Sequence, residues 1–161
     1  MIYGVQLSYD LVGAGWARCT ISVDDATATV TASYLSDALD DLASAVSATL
    51  RGHPHATASF TEEPDEYRWI FEPLSEGKVV VRILEFREMW GGRPEEEGEV
   101  IFHAQCRLRT LAGALLSELQ KLERTYGLVG YRQKWVEHDF PIGRLDELRE
   151  LLDDSPDRDV T

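Results

Sequence analysis

Apolar residues recur at every second position in several short stretches of the chain. In 5–11 they are Val5, Leu7, Tyr9 and Leu11. In 16–23 they are Ala17, Cys19, Ile21 and Val23, and in 27–35 they are Ala28, Val30, Ala32 and Tyr34. A period of two turns one side of a segment to a core and the other to water, so three strands are expected. The links at 12–15 and 24–26 are short enough for hairpins. Over 36–52 the period changes: Leu39, Leu42, Val46 and Leu50 recur at three and four, which is one face of a helix. Ser36 is the expected N-cap, Asp37 and Asp40 suit the positive end, and Gly52 and Pro54 stop the helix.

Strand periodicity then returns. A short strand is expected over 55–60. The stretch 66–72 puts Tyr67, Trp69 and Phe71 opposite Arg68 and Ile70, and 78–88 is the longest apolar run, which suits a central strand. Over 99–107, Val100, Phe102, Ala104 and Cys106 oppose Ile101, His103 and Gln105. The last third is helical. Leu111, Leu115, Leu119, Leu122 and Tyr126 form one stripe over 110–127, with Thr110 as N-cap and Gly127 as stop. A further helical turn is expected at 131–135. A short helix over 143–152 should turn Leu145, Leu148, Leu151 and Leu152 inward.

The order is βββα-ββββα with helical additions. Short links between strands imply hairpins, so the expected fold is α+β: a mostly antiparallel sheet of about seven strands with helices packed on one face. Residues 1–152 are expected to form a single domain, since 161 residues suffice for one core without metals or disulfides. The polar, charged end, 153–161, is expected to be a disordered acidic tail.

Charge narrows the functional classes. The net charge of −13 repels phosphate backbones, so nucleic acid is not an expected partner; it suits a partner with a basic surface. No stretch reaches the 18 or so apolar residues of a membrane span, and the first residues do not read as a signal segment. Cys19 and Cys106 share no motif and sit in strand-like runs, so free thiols and a cytoplasmic location are expected. There is no Asn, and 13 Arg stand against 3 Lys, a composition of GC-rich bacterial genomes.

Tests for chemistry find little. The chain has no P-loop, no Gly-x-Ser-x-Gly elbow and no His-Glu-x-x-His. The glycines at 13 and 15 lie between two strands, whereas a dinucleotide loop must lead into a helix. His53 and His55 flank Pro54 with no further ligand nearby in sequence, so no metal is expected, and no cofactor. The segment KWVEHDFP (134–141) is the densest in reactive groups. One reading makes His138 a general base oriented by Glu137 or Asp139. The favoured reading makes the segment a latch, with Trp135, Val136 and Phe140 anchoring the link between two helices, because no nucleophile motif accompanies the histidine.

Taken together, TVTASYLSDALDDLASAV, EEPDEYRWIF, VRILEF and GYRQKWVEHDFP resemble a group of small acidic uncharacterised actinobacterial proteins. The likeness covers most of 16–152 and implies no activity and no site residues.

The leading expectation is therefore a non-catalytic acidic cytoplasmic protein that binds another macromolecule. An immunity-like or regulatory protein for a basic protein partner is one version. Two acidic loops would face that partner, through Glu62, Glu63, Asp65 and Glu66 and through Glu95, Glu96 and Glu97. The alternative is a small-molecule-binding protein or enzyme with a pocket between sheet and helices near Tyr67, Trp69, Trp135 and His138. A homodimer formed through an exposed sheet edge or an apolar sheet face is a third.

Overall fold

In a computed structural model the chain forms seven strands and three helices in the expected order. Residues 4–62, 65–87, 93–136 and 138–153 are described. Strands β1 (Val5–Leu11), β2 (Trp16–Val23) and β3 (Ala26–Ser33) make one antiparallel sheet. Strands β4 (Ala56–Glu62), β5 (Asp65–Pro73), β6 (Lys78–Phe86) and β7 (Glu99–Arg107) make a second, each in the order of the sequence. The helices are α1 (Ala38–Leu50), α2 (Leu108–Trp135) and α3 (Ile142–Asp153). Asp153 thus ends a helix, and the rest of the expected tail lies outside the described residues.

The register follows the alternation. Tyr9 pairs with Cys19 and Cys19 with Val30, so the apolar positions of the first sheet share one face. In the second sheet Phe60, Tyr67, Trp69, Phe71, Val81 and Ile83 turn to the same core, which also takes in Leu39 and Leu42 of α1 and Leu115 and Leu119 of α2. The core rings touch one another: Tyr9 meets Phe60 edge-on at 6.3 Å, and Phe60 meets Trp69 at 5.4 Å. Arg144 Nε reaches Asp40 Oδ1 at 3.1 Å and Arg51 Nη2 reaches Glu147 Oε2 at 2.7 Å, which ties α3 to α1.

Four details depart from the sequence reading. Ser36 does not cap α1. Asp37 occupies the cap position without a side-chain bond, and Ser36 Oγ accepts from Thr61 N–H at 3.1 Å. Thr110 is not a cap either, because α2 already begins at Leu108. Gly127 marks a kink inside α2, with φ 67° and ψ 178°, and the expected turn at 131–135 is the helix beyond it. Finally, the register shifts between Ile83 and Leu84, so Leu84 faces Val100 and Val100 leaves the core side. It is 54% exposed, while Ile101 packs against the core. An unpaired residue at a bulge reverses which side its neighbours face.

The outer face of the second sheet carries its own cluster, Ile70, Leu84 and Phe86, all buried. The loop leading to β7 lies over it. A Cβ on Gly98 would stand 2.8 Å from Phe86 Cζ and 2.9 Å from Leu84 Cβ. Gly98→Ala is therefore expected to lower stability by about 1–3 kcal/mol, the usual penalty for overfilling a packed site. Urea unfolding checks it, and an unchanged midpoint would mean the loop does not press on this cluster.

Candidate functional site

Of the three anchors expected in the KWVEHDFP segment, Trp135 and Phe140 are buried, but Val136 is 45% exposed and anchors nothing. Trp135, the last residue of α2, is fully buried, and so is Tyr131 one turn earlier. The Tyr131 ring meets Phe140 edge-on at 5.3 Å, which folds the link back onto α2. The Pro141 carbonyl accepts from Leu145 N–H at 3.1 Å and so opens α3. His138 and Asp139 do not form a dyad. His138 Nδ1 lies 3.8 Å from Asp37 Oδ2, whereas Asp139 is 90% exposed with Arg132 Nε at 3.6 Å. Glu137 lies outside the described residues.

The proposed pocket residues separate in the same way. Trp69 and Trp135 belong to the core, Tyr67 packs against it half-buried, and His138 sits at the surface beside α1. The indole N–H groups of Trp69 and Trp135 and the hydroxyls of Tyr9 and Tyr131 have no hydrogen-bond partner among the described residues. Burial pushes the Tyr9 phenol far up, with Tyr131, Cys19 and Asp37 adding to it. These groups pack the interior and stay neutral. The thiols are free and unactivated: burial raises Cys19 strongly and pushes Cys106 up to about 11. No group of three or more His, Cys, Asp or Glu among the described residues is arranged to hold a metal ion.

The acidic residues fall into two sets. Glu66 is buried on the outer face of β5, where Ser59 Oγ donates to its Oε2 at 2.8 Å and Arg68 Nε lies at 3.4 Å. Glu95 joins Arg82 Nη2 at 3.3 Å and His55 Nε2 at 2.8 Å. Glu97 lies 3.5 Å from Arg93 Nε. Glu95 ties the β6–β7 loop to Arg82 on the sheet, and Glu66 holds Arg68, which donates to the Arg93 carbonyl of the loop, so Glu66 and Glu95 are not the free partner-facing groups expected of them. Glu96 is exposed, and Glu63 lies outside the described residues.

The second set lies where β4, β5 and β6 end together. Glu62 pairs with Asp65 in register, and Tyr67 pairs with Glu85. Burial, with the charges of Asp65 and Glu85 added, raises Glu62 above the usual carboxylate range. Burial, the charges of Glu62, Glu85 and Asp65, and a hydrogen bond to Glu85 push the Tyr67 phenol up to about 12. Glu85 also borders an open depression of about 230 Å³ with Arg87, Arg93, Glu97 and Glu99. The sequence reading missed Glu85, because only strand register brings it beside Tyr67 and the β4–β5 turn.

Comparison with protein families, curated proteins and solved structures finds no match to the chain. No helix among the described residues is long and apolar enough to cross a membrane.

Proposed function

We propose that the protein is a non-catalytic, cytoplasmic binding protein for a basic protein partner, immunity-like or regulatory in role. The observation that supports this reading is the strand register that gathers Glu62, Asp65 and Glu85 at one end of the second sheet, where burial first, and then the charges of Asp65 and Glu85, raise Glu62. Holding carboxylates together is unfavourable in the free protein. A lysine or arginine brought by a partner relieves that repulsion, which strengthens binding and speeds encounter. The net charge of −13 adds a long-range field of the same sign.

The test is affinity capture from host lysate at low and high salt, with wild type beside a Glu62→Lys/Glu85→Lys variant. A protein partner retained at low salt, released at high salt and at least about tenfold weaker on the variant is expected, since each factor of ten is ~1.4 kcal/mol. Recovery of no salt-sensitive partner overturns the reading.

A further inference from the structure

Large apolar side chains are concentrated on the surface beside this acidic end. Ten are exposed among the described residues, and five of them, Val12, Trp16, Tyr34, Leu35 and Val136, belong to segments that come together around the β1–β2 hairpin. Backbone bonds bring their three segments together. Gly15 N–H donates to the Lys134 carbonyl at 2.7 Å, and Tyr34 N–H donates to the Gly15 carbonyl at 2.8 Å. Gly15 has φ +79°, and a Cβ there would lie 2.9 Å from Tyr34 Cδ1, so the hairpin tip fits closely against this ring.

The side chains nonetheless point outward. Trp16 is 42% exposed, Leu35 46% and Val136 45%. Val136 has φ +83°, a conformation that β-branched residues rarely adopt, and its apolar side chain remains half in water. The positive φ costs stability and the exposed apolar surface contributes none, and exposed apolar surface gathered in one place marks interaction sites.

The patch is continuous with the carboxylates. Ser33 Oγ donates to the Thr61 carbonyl at 3.0 Å, and Thr61 N–H donates to Ser36 Oγ at 3.1 Å. Tyr34 and Leu35 are thereby held beside the end of β4, and the next residue along that strand is Glu62. A tryptophan and a tyrosine flanked by crowded carboxylates make an apolar centre with an acidic rim, the layout of a protein-binding hot spot.

We propose that this surface, centred on Trp16, Tyr34 and Leu35, docks an apolar side chain of a protein partner whose neighbouring lysines or arginines meet Glu62 and Glu85. The inference rests on the basic-partner reading above and adds the place and the chemistry of contact. A second copy of this chain fits less well, since it would carry the same carboxylates and the same net negative charge to the interface.

The experiment titrates the whole protein with two short synthetic peptides, followed by backbone and indole NMR signals. One alternates lysine with leucine and tryptophan; the other has serine in place of the apolar residues at equal charge. The expected result is at least about tenfold tighter binding of the first, with shifts at the Trp16 indole, Gly15 and Leu35. That preference should vanish in Trp16→Ser/Leu35→Ser while the serine peptide binds as before. A Leu35→Arg variant serves the same purpose should the double variant fail to fold. Equal binding of the two peptides to wild type, shifts confined to the Glu62 end, or a preference that survives the substitutions overturns the docking surface and leaves the acidic reading standing. Binding of neither peptide at low salt overturns both. A concentration-dependent dimer abolished by Trp16→Ser would assign the patch to a second copy and overturn the proposal.

Discussion

Trp135→Ala is expected to destabilise the protein by about 3–5 kcal/mol, the range found when a buried aromatic is truncated. For a domain of this size that is a fall in Tm of roughly 6–20 °C. The argument is geometric. The Trp135 side chain fills the core at the point where α2 ends, and three connections depend on that end. Tyr131 and Phe140 meet edge-on there, the Lys134 carbonyl holds the hairpin tip at Gly15, and Val136 N–H closes the helix on the Arg132 carbonyl at 2.9 Å. An alanine leaves a cavity beneath all three. His138→Ala removes a half-exposed ring 3.8 Å from Asp37 and should cost no more than about 1 kcal/mol. Urea and thermal unfolding followed by circular dichroism measure both. A melting curve unchanged by Trp135→Ala would sink the latch and return the segment to the candidates for a binding role. If the alanine variant does not fold, Trp135→Phe should show a smaller loss in the same direction.

The strands and helices were legible because their signal is local. Alternation over 5–11, 16–23 and 66–72 states which side chains share a face, and the register agrees, pairing Phe60 with Tyr67 and Trp69 with Ile83. Gly127 was legible as a break, since a glycine in an apolar stripe frees the backbone for the positive φ it adopts. What escaped the sequence depends on contacts between distant residues. Whether Glu66 is solvated or buried depends on Ser59 and Arg68, which only the β4–β5 register supplies. The reversal at Val100 depends on a bulge against Leu84, and nothing in the alternation of 99–107 announces it. The alternation of 27–35 places Tyr34 on the inward side of a strand. That strand ends at Ser33, and Tyr34 turns outward against Gly15. The docking surface was hidden for the same reason: its five apolar residues come from three separate segments.

Arg68→Ala is the second large effect expected, about 3–5 kcal/mol, because it strands a buried carboxylate. The side chains of Arg68 and Glu66 are 15% and 10% exposed, so solvent screens the pair little. Arg68 also donates through Nη1 to the Arg93 carbonyl at 2.8 Å, and its guanidinium lies 4.3 Å from the centre of the Phe86 ring. One side chain therefore neutralises Glu66, anchors the β6–β7 loop and shields the outer cluster of Ile70, Leu84 and Phe86. A Glu66→Leu/Arg68→Met variant removes both charges and fills similar volume, so it should recover most of the loss. Equal instability of the single and double variants would show that the loop anchor, and not the buried charge, dominates. The comparison also separates the two acidic sets. Arg68→Ala loosens the loop bearing Glu95, Glu96 and Glu97 but leaves Glu62, Asp65 and Glu85 on their strands. At a temperature where the variant remains folded, binding of a basic partner should therefore persist. Loss of binding there would move the partner-facing charge to the loop.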